Sequence, residues 1–132
     1  MSRTLILLRH GKSGYPPGVA DHDRPLAPRG ERQAALAGQW MRDEGLGVDA
    51  VLCSTARRTR ETLARTGISA PVQFVGDLYG AWSSEILESI RIYTPESART
   101  LLVVGHVPGM PATAADLDPD LFAPAPTTWV NP

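Results

Sequence analysis

At 132 residues the chain is long enough for one domain with a real core, though close to the lower end for a doubly wound α/β fold. Thirteen Lys and Arg against fourteen Asp and Glu leave a formal net charge of -1, which argues against nucleic acid or an anionic membrane as a partner of the whole surface. The single cysteine, Cys53, excludes an internal disulfide and a Cys-rich zinc site, and no run approaches the roughly twenty apolar residues of a membrane span, so the chain reads as soluble and cytoplasmic.

The first predicted element is the apolar run TLILL at 4–8, the pattern of a strand buried on both faces of a parallel sheet; it ends abruptly in Arg9, His10 and Gly11. In open α/β sheets the carboxyl ends of the strands are where ligands bind, so a site is expected at this point. Residues 13–28 are rich in glycine and proline and read as a loop overhanging that strand end. A helix is predicted from Pro28 to about residue 44, with Ala34, Ala37 and Met41 inward; Ala27 stands at its N-cap without a capping side chain. The second strand is predicted at 49–53, DAVLC, with Ser54 placed to cap the next helix, whose inward face carries Ala56, Thr59 and Leu63. A third strand is predicted at 71–75, then a helix opening at Ser83 or Ser84, striped by Ile86, Leu87, Ile90 and Tyr93 and ended by Thr94 and Pro95. The fourth strand, TLLVV at 100–104, again runs into a histidine, His106. Strands alternating with helices predict a three-layer α/β/α sandwich with a mostly parallel central sheet.

Parallel strands of the same type that both end in histidine would carry His10 and His106 to one edge of the sheet, within reach of a shared ligand. Arg9 adjoins this point and a group of arginines opens the second helix. A thiolate phosphatase is excluded, because it needs an arginine six positions after its cysteine and Thr59 stands there relative to Cys53. No Gly-x-Gly-x-x-Gly and no P-loop stand after a strand.

Four segments carry a resemblance: Arg9-His10-Gly11; Arg24-Pro25-Leu26 with Gly30 beyond it; Ser54-Thr55-Ala56-Arg57-Arg58 with Glu61-Thr62 beyond it; and Gly105-His106-Val107-Pro108-Gly109. In order and spacing they resemble the motifs of the histidine phosphatase superfamily, also called phosphoglycerate-mutase-like, and within it the small SixA-type phosphohistidine phosphatase branch. Ala27 replaces the threonine usual in the second motif. The resemblance implies that His10 is a nucleophile taking a phosphoryl group on nitrogen, and that Arg9, Arg58 and His106 surround that group, with Gly11 beside the phosphate giving the chain room to turn more than taking part itself. It implies no metal and no cofactor. The proton donor has no match among the family's acids; Asp21 is the candidate by position, ahead of Asp23, Asp77 and Glu85. Arg57 and Arg60 lie about 100° and 200° around the helix from Arg58 and are expected to face solvent. Lys12 is either a positive charge at the rim of the site or a solvated lysine.

The resemblance implies a substrate that is a phosphorylated protein, phosphohistidine first, or a small phosphorylated metabolite; the alternative outside enzymes is a phospho-ligand binding module with little turnover. The family pattern is clear over 4–110, in a single domain spanning 1–132. Half of the chain's twelve prolines lie after position 105, and 110–132 shows no sustained period. That tail therefore reads as truncated or divergent, lacking the family's closing strand and leaving a sheet edge open to self-association.

Overall fold

Each apolar run of the sequence becomes a strand because it has side chains to bury on both faces of a sheet. The computed structural model describes residues 2–119. Its elements are β1 (Thr4–Arg9), α1 (Pro28–Asp43), β2 (Ala50–Ser54), α2 (Arg57–Thr66), β3 (Val72–Val75), α3 (Ser83–Tyr93), β4 (Thr100–Gly105) and α4 (Gly109–Leu117). The strands form one sheet in the order β1-β4-β2-β3, every pair parallel.

The alternation of side chains along each strand divides the core in two. Leu7, Ala50, Leu52, Leu101 and Val103 point to one face, where Ile86 of α3 and Met110 of α4 cover them. Ile6, Leu8, Val51, Cys53, Leu102 and Val104 point to the other, against Met41 of α1 and Leu63 of α2. The three-layer α/β/α sandwich expected from the sequence is the observed architecture. The central strands β2 and β4 are buried almost throughout, whereas β1 and β3 are outer strands with exposed positions such as Leu5 and Phe74.

Two details depart from the sequence reading. Ser54 is the last residue of β2 and does not cap α2; the N-cap is Ala56, which has no side-chain bond to offer. Residues 109–117, expected to lack a regular element, form α4. Its Pro111 falls in the first turn, where a missing N–H costs nothing, and Thr113 Oγ1 donates to the Gly109 carbonyl at 2.8 Å. The expected loss of a closing strand, and the self-association argued from it, concern residues beyond 119 and lie outside the described residues.

Helices α1 and α2 meet where α1 has no side chain. A Cβ on Gly38 would stand 2.0 Å from the Thr66 carbonyl oxygen, which also accepts a bond from Arg42 Nη1 at 2.7 Å. Helix propensity alone favours alanine over glycine by about 1 kcal/mol. Backbone, however, cannot rotate aside as a side chain can, and overpacking of this kind costs about 1–3 kcal/mol. Gly38→Ala is therefore expected to lower stability in urea denaturation; an unchanged or raised midpoint would mean that the two helices separate at little cost.

Candidate functional site

The site grows out of the pairing of β1 with β4. Their register sets Arg9 opposite Gly105, and the ladder runs one residue further, with His10 N donating to the Gly105 carbonyl at 3.0 Å. His10 and His106 are thus neighbours across the ladder, their ring centroids 5.2 Å apart and nearly edge to face. His10 Nδ1 lies 2.6 Å from the Gly11 carbonyl oxygen. A carbonyl only accepts, so Nδ1 carries the proton and Nε2 of the neutral ring keeps a free lone pair. Burial lowers the His10 pKa; the Gly11 carbonyl opposes this, and the Arg58, Arg9 and Arg24 cations reinforce it. His106 is almost fully buried, with Nε2 2.8 Å from Ser54 Oγ and no partner on Nδ1. Burial, then the neighbouring His10 and Arg58, pull it down to about 4. Both imidazoles are neutral at pH 7.

Arg58 is the buried cation of this edge, its side chain 7% exposed. Nη1 donates to the Asp21 carbonyl oxygen at 2.6 Å and Nη2 to Asp21 Oδ2 at 3.1 Å, while the buried Nε has no partner. The same carboxylate accepts from Arg24 Nε at 3.1 Å and from the Tyr79 hydroxyl. Tyr79, then Arg58 and Arg24, hold Asp21 down at about 2 despite an opposing desolvation. Asp21 is therefore in the site as expected, but as an ionised carboxylate with three donors on it. That state suits an ion-pair partner and not a proton donor at neutral pH.

The loop after β1 is held by α1 and α2. Gly11 N donates to Thr62 Oγ1 at 3.1 Å, and Leu26 N to Glu61 Oε1 at 2.8 Å. This accounts for the Glu61-Thr62 pair of the third motif and leaves the Gly11 amide bonded inside the protein. What Gly11 contributes is close approach: a Cβ there would meet the Gly30 carbonyl oxygen at 2.4 Å, so loop and helix touch backbone to backbone. Arg24 Nη1 donates to Ser13 Oγ at 2.9 Å and its guanidinium stacks over the Tyr15 ring. Arg57 is exposed and paired with Glu61; Arg60, also exposed, donates to the Thr55 carbonyl. Of the remaining carboxylates, Glu85 accepts from Trp82 N at the start of α3, and Asp23 lies exposed beside His22.

Sequence reasoning missed Tyr79 and His22. Tyr79 comes after β3 at the same edge of the sheet as the two histidines, its ring 5.5 Å from His106 and 4.8 Å from His22. The one signal available was that position just past a strand's carboxyl end. His22 Nε2 sits 2.9 Å from Thr55 Oγ1, in a loop with no periodicity to read. Arg9, by contrast, is exposed and lines an open cleft of about 330 Å³ beside His10. Among the described residues no group of three or more His, Cys, Asp or Glu is arranged to hold a metal ion, and no helix is long and apolar enough to cross a membrane.

Comparison with known proteins agrees with this fold. The model of the histidine phosphatase superfamily (branch 1) matches residues 5–91. An uncharacterized protein of Mycobacterium tuberculosis (strain ATCC 25618 / H37Rv) is 56% identical over 107 residues, covering 81% of this chain and 67% of that protein. The phosphohistidine phosphatase SixA of Escherichia coli (strain K12) is 23% identical over 129 residues, or 94% of this chain and 80% of SixA. Among solved structures, a candidate phosphohistidine phosphatase SixA from Nakamurella multipartitia superposes with a TM-score of 0.82 at 53% identity, covering 87% of this chain. The chain spans 65% of that protein's length. With the fold matched and the family model covering more than half of its length, the chain belongs to the histidine phosphatase superfamily.

Proposed function

We propose that the protein is a phosphatase that hydrolyses a phosphoryl group through a covalent phosphohistidine at His10. The observation that carries the reading is the His10 Nδ1 bond to the Gly11 carbonyl, which leaves Nε2 unprotonated at the sheet edge that His10 shares with Arg58 and His106. In the first step Nε2 attacks phosphorus as the bond to the leaving nitrogen or oxygen breaks, that atom keeping the electron pair. In the second, water attacks phosphorus and the P–N bond breaks with its electron pair returning to Nε2; phosphate is released carrying the water's two protons, one of which passes through solvent to the leaving atom, and the imidazole is regenerated. Arg9, Arg58 and His106 stabilise the charge spread over the phosphoryl oxygens, which is where catalysis of phosphoryl transfer mainly lies. The unpartnered Arg58 Nε and His106 Nδ1 are donors or acceptors still to be used. Asp21 holds Arg58 and Tyr79 in place, and no step is routed through a metal. The substrate is read as phosphohistidine in a protein of the cytoplasm, with a small phosphoester as the alternative; likeness to SixA-type proteins favours the first.

His10→Ala is expected to abolish turnover, and quenching with labelled substrate is expected to leave acid-labile phosphate on the wild type alone. Label retained by the variant would move the nucleophile elsewhere. Arg58→Ala should cost about 2 kcal/mol or more of vanadate affinity, as truncating a buried charge pair does, whereas exposed Arg57→Ala should stay within about 0.5 kcal/mol. Equal losses would show that the wrong arginine faces the ligand. The depressed His10 pKa has a sign that mutation can reverse. A cation disfavours the imidazolium, so replacing Arg58 with Gln should raise the His10 pKa, measured by NMR titration of the ring protons; a wild-type value at or above 6.5, or no rise in the variant, would contradict the electrostatics described.

A further inference from the structure

Thirteen side chains of the chain are Lys or Arg, and twelve of them are arginine; the one lysine is Lys12, two residues after His10. With Arg9, Arg29 and His10 itself, Lys12 lines an open cleft of about 330 Å³. None of these three cations has an ion-pair partner among the described residues, although Arg24, Arg57, Arg58, Arg65 and Arg91 all do. No carboxylate among the described residues lines the cleft. Arg29 stands in the first turn of α1, where a positive side chain opposes the helix dipole and a carboxylate would be favoured. Like charges gathered around one concavity raise the free energy of the empty protein and focus a positive potential into it. Arg58, His106 and Arg9 already border the phosphoryl position, so Lys12 and Arg29 leave positive charge in excess of what one phosphoryl group needs.

We infer that the Lys12 and Arg29 side of this cleft is a second anion subsite, and that the substrate carries, besides the phosphoryl group at His10, a further carboxylate or phosphate that Lys12 and Arg29 bind. The inference rests on the phosphatase reading for the placement of the first anion. The second anion comes either from an acidic residue flanking a phosphorylated side chain or from a second acidic group on a small metabolite; the chemistry recognised is the same. A cleft of this size lies at the lower end of the range for small-ligand pockets and takes one compact group, not an extended segment.

Because Lys12 is the chain's one lysine, its acylation reports occupancy of the subsite without any need for turnover. With the protein treated with an acetylating ester and Lys12 monitored by peptide mass spectrometry, pyrophosphate or triphosphate is expected to slow its modification at least fivefold, with the N-terminal amine as internal reference. Orthophosphate at equal saturation should slow it much less. A second measurement takes the ratio of kcat/KM for 2-, 3- and 4-carboxyphenyl phosphate over phenyl phosphate, and for an acid-flanked phosphohistidine peptide over its neutral-flanked counterpart. A preference of roughly tenfold is expected in one of the two series, the size of a pair of partly exposed charge interactions, and it should fall towards one in the Lys12→Gln/Arg29→Gln double variant. The series that shows the preference identifies the source of the second anion. Equal protection by all three anions, or, where these substrates are turned over, a preference that survives the double variant or is absent from both series, would overturn the subsite. Protection confined to pyrophosphate and triphosphate in a protein that turns over none of these substrates would overturn the phosphatase reading and leave the subsite standing.

Discussion

The site depends first on register. β1 and β4 lie side by side with Arg9 opposite Gly105, and the backbone bond from His10 continues the ladder one residue past the named strands. Side chains along a strand alternate with period two, so a slip of one residue would turn one of the two histidine rings to the other face of the sheet. That slip is opposed by the whole core: Leu101 and Val103 would exchange faces with Leu102 and Val104, and both packed layers would be lost. The energy that holds the two imidazoles 5.2 Å apart is therefore hydrophobic burial along the strands that carry them.

Around the rings the dominant effect is the density of positive charge. Arg9, Arg24 and Arg58 all act on His10, and burial adds to them, while a single carboxylate, Asp21, ties two of those arginines together and is itself tied by Tyr79. The result is a pair of uncharged nitrogen bases among cations. In water such imidazoles would be part protonated near neutral pH; here the surroundings exclude the proton and leave lone pairs available.

Most of this was legible in the sequence because strands of parallel sheets announce themselves as unbroken apolar runs, and the residues just past each run are carried to one edge. TLILL and LLVV located His10 and His106, and the family resemblance picked out Arg58, which is buried where Arg57 and Arg60 are exposed. What was illegible depends on loops. Tyr79 reaches Asp21 from a turn after β3, and His22 meets Thr55 from a short turn in the overhanging loop, contacts between segments 58 and 33 residues apart that no local period encodes. The helix α4 was hidden because only Gly109, Met110 and Thr113 of it are buried, too few to show a stripe, and because proline within it reads as a break unless its place in the first turn is known. Gly11 was legible as a glycine that matters, but whether its amide faced outward or inward depended on Thr62, fifty-one residues away.

Cys53, the fourth of the five residues of β2, has no exposed surface, and burial pushes its thiol up to about 12. Thiolates, not thiols, react with peroxides and disulfides. A protein whose reactive edge is made of imidazole and guanidinium, and whose lone sulfhydryl is sealed in its sheet, presents oxidants with no sulfur of the kind that silences thiolate-dependent phosphatases.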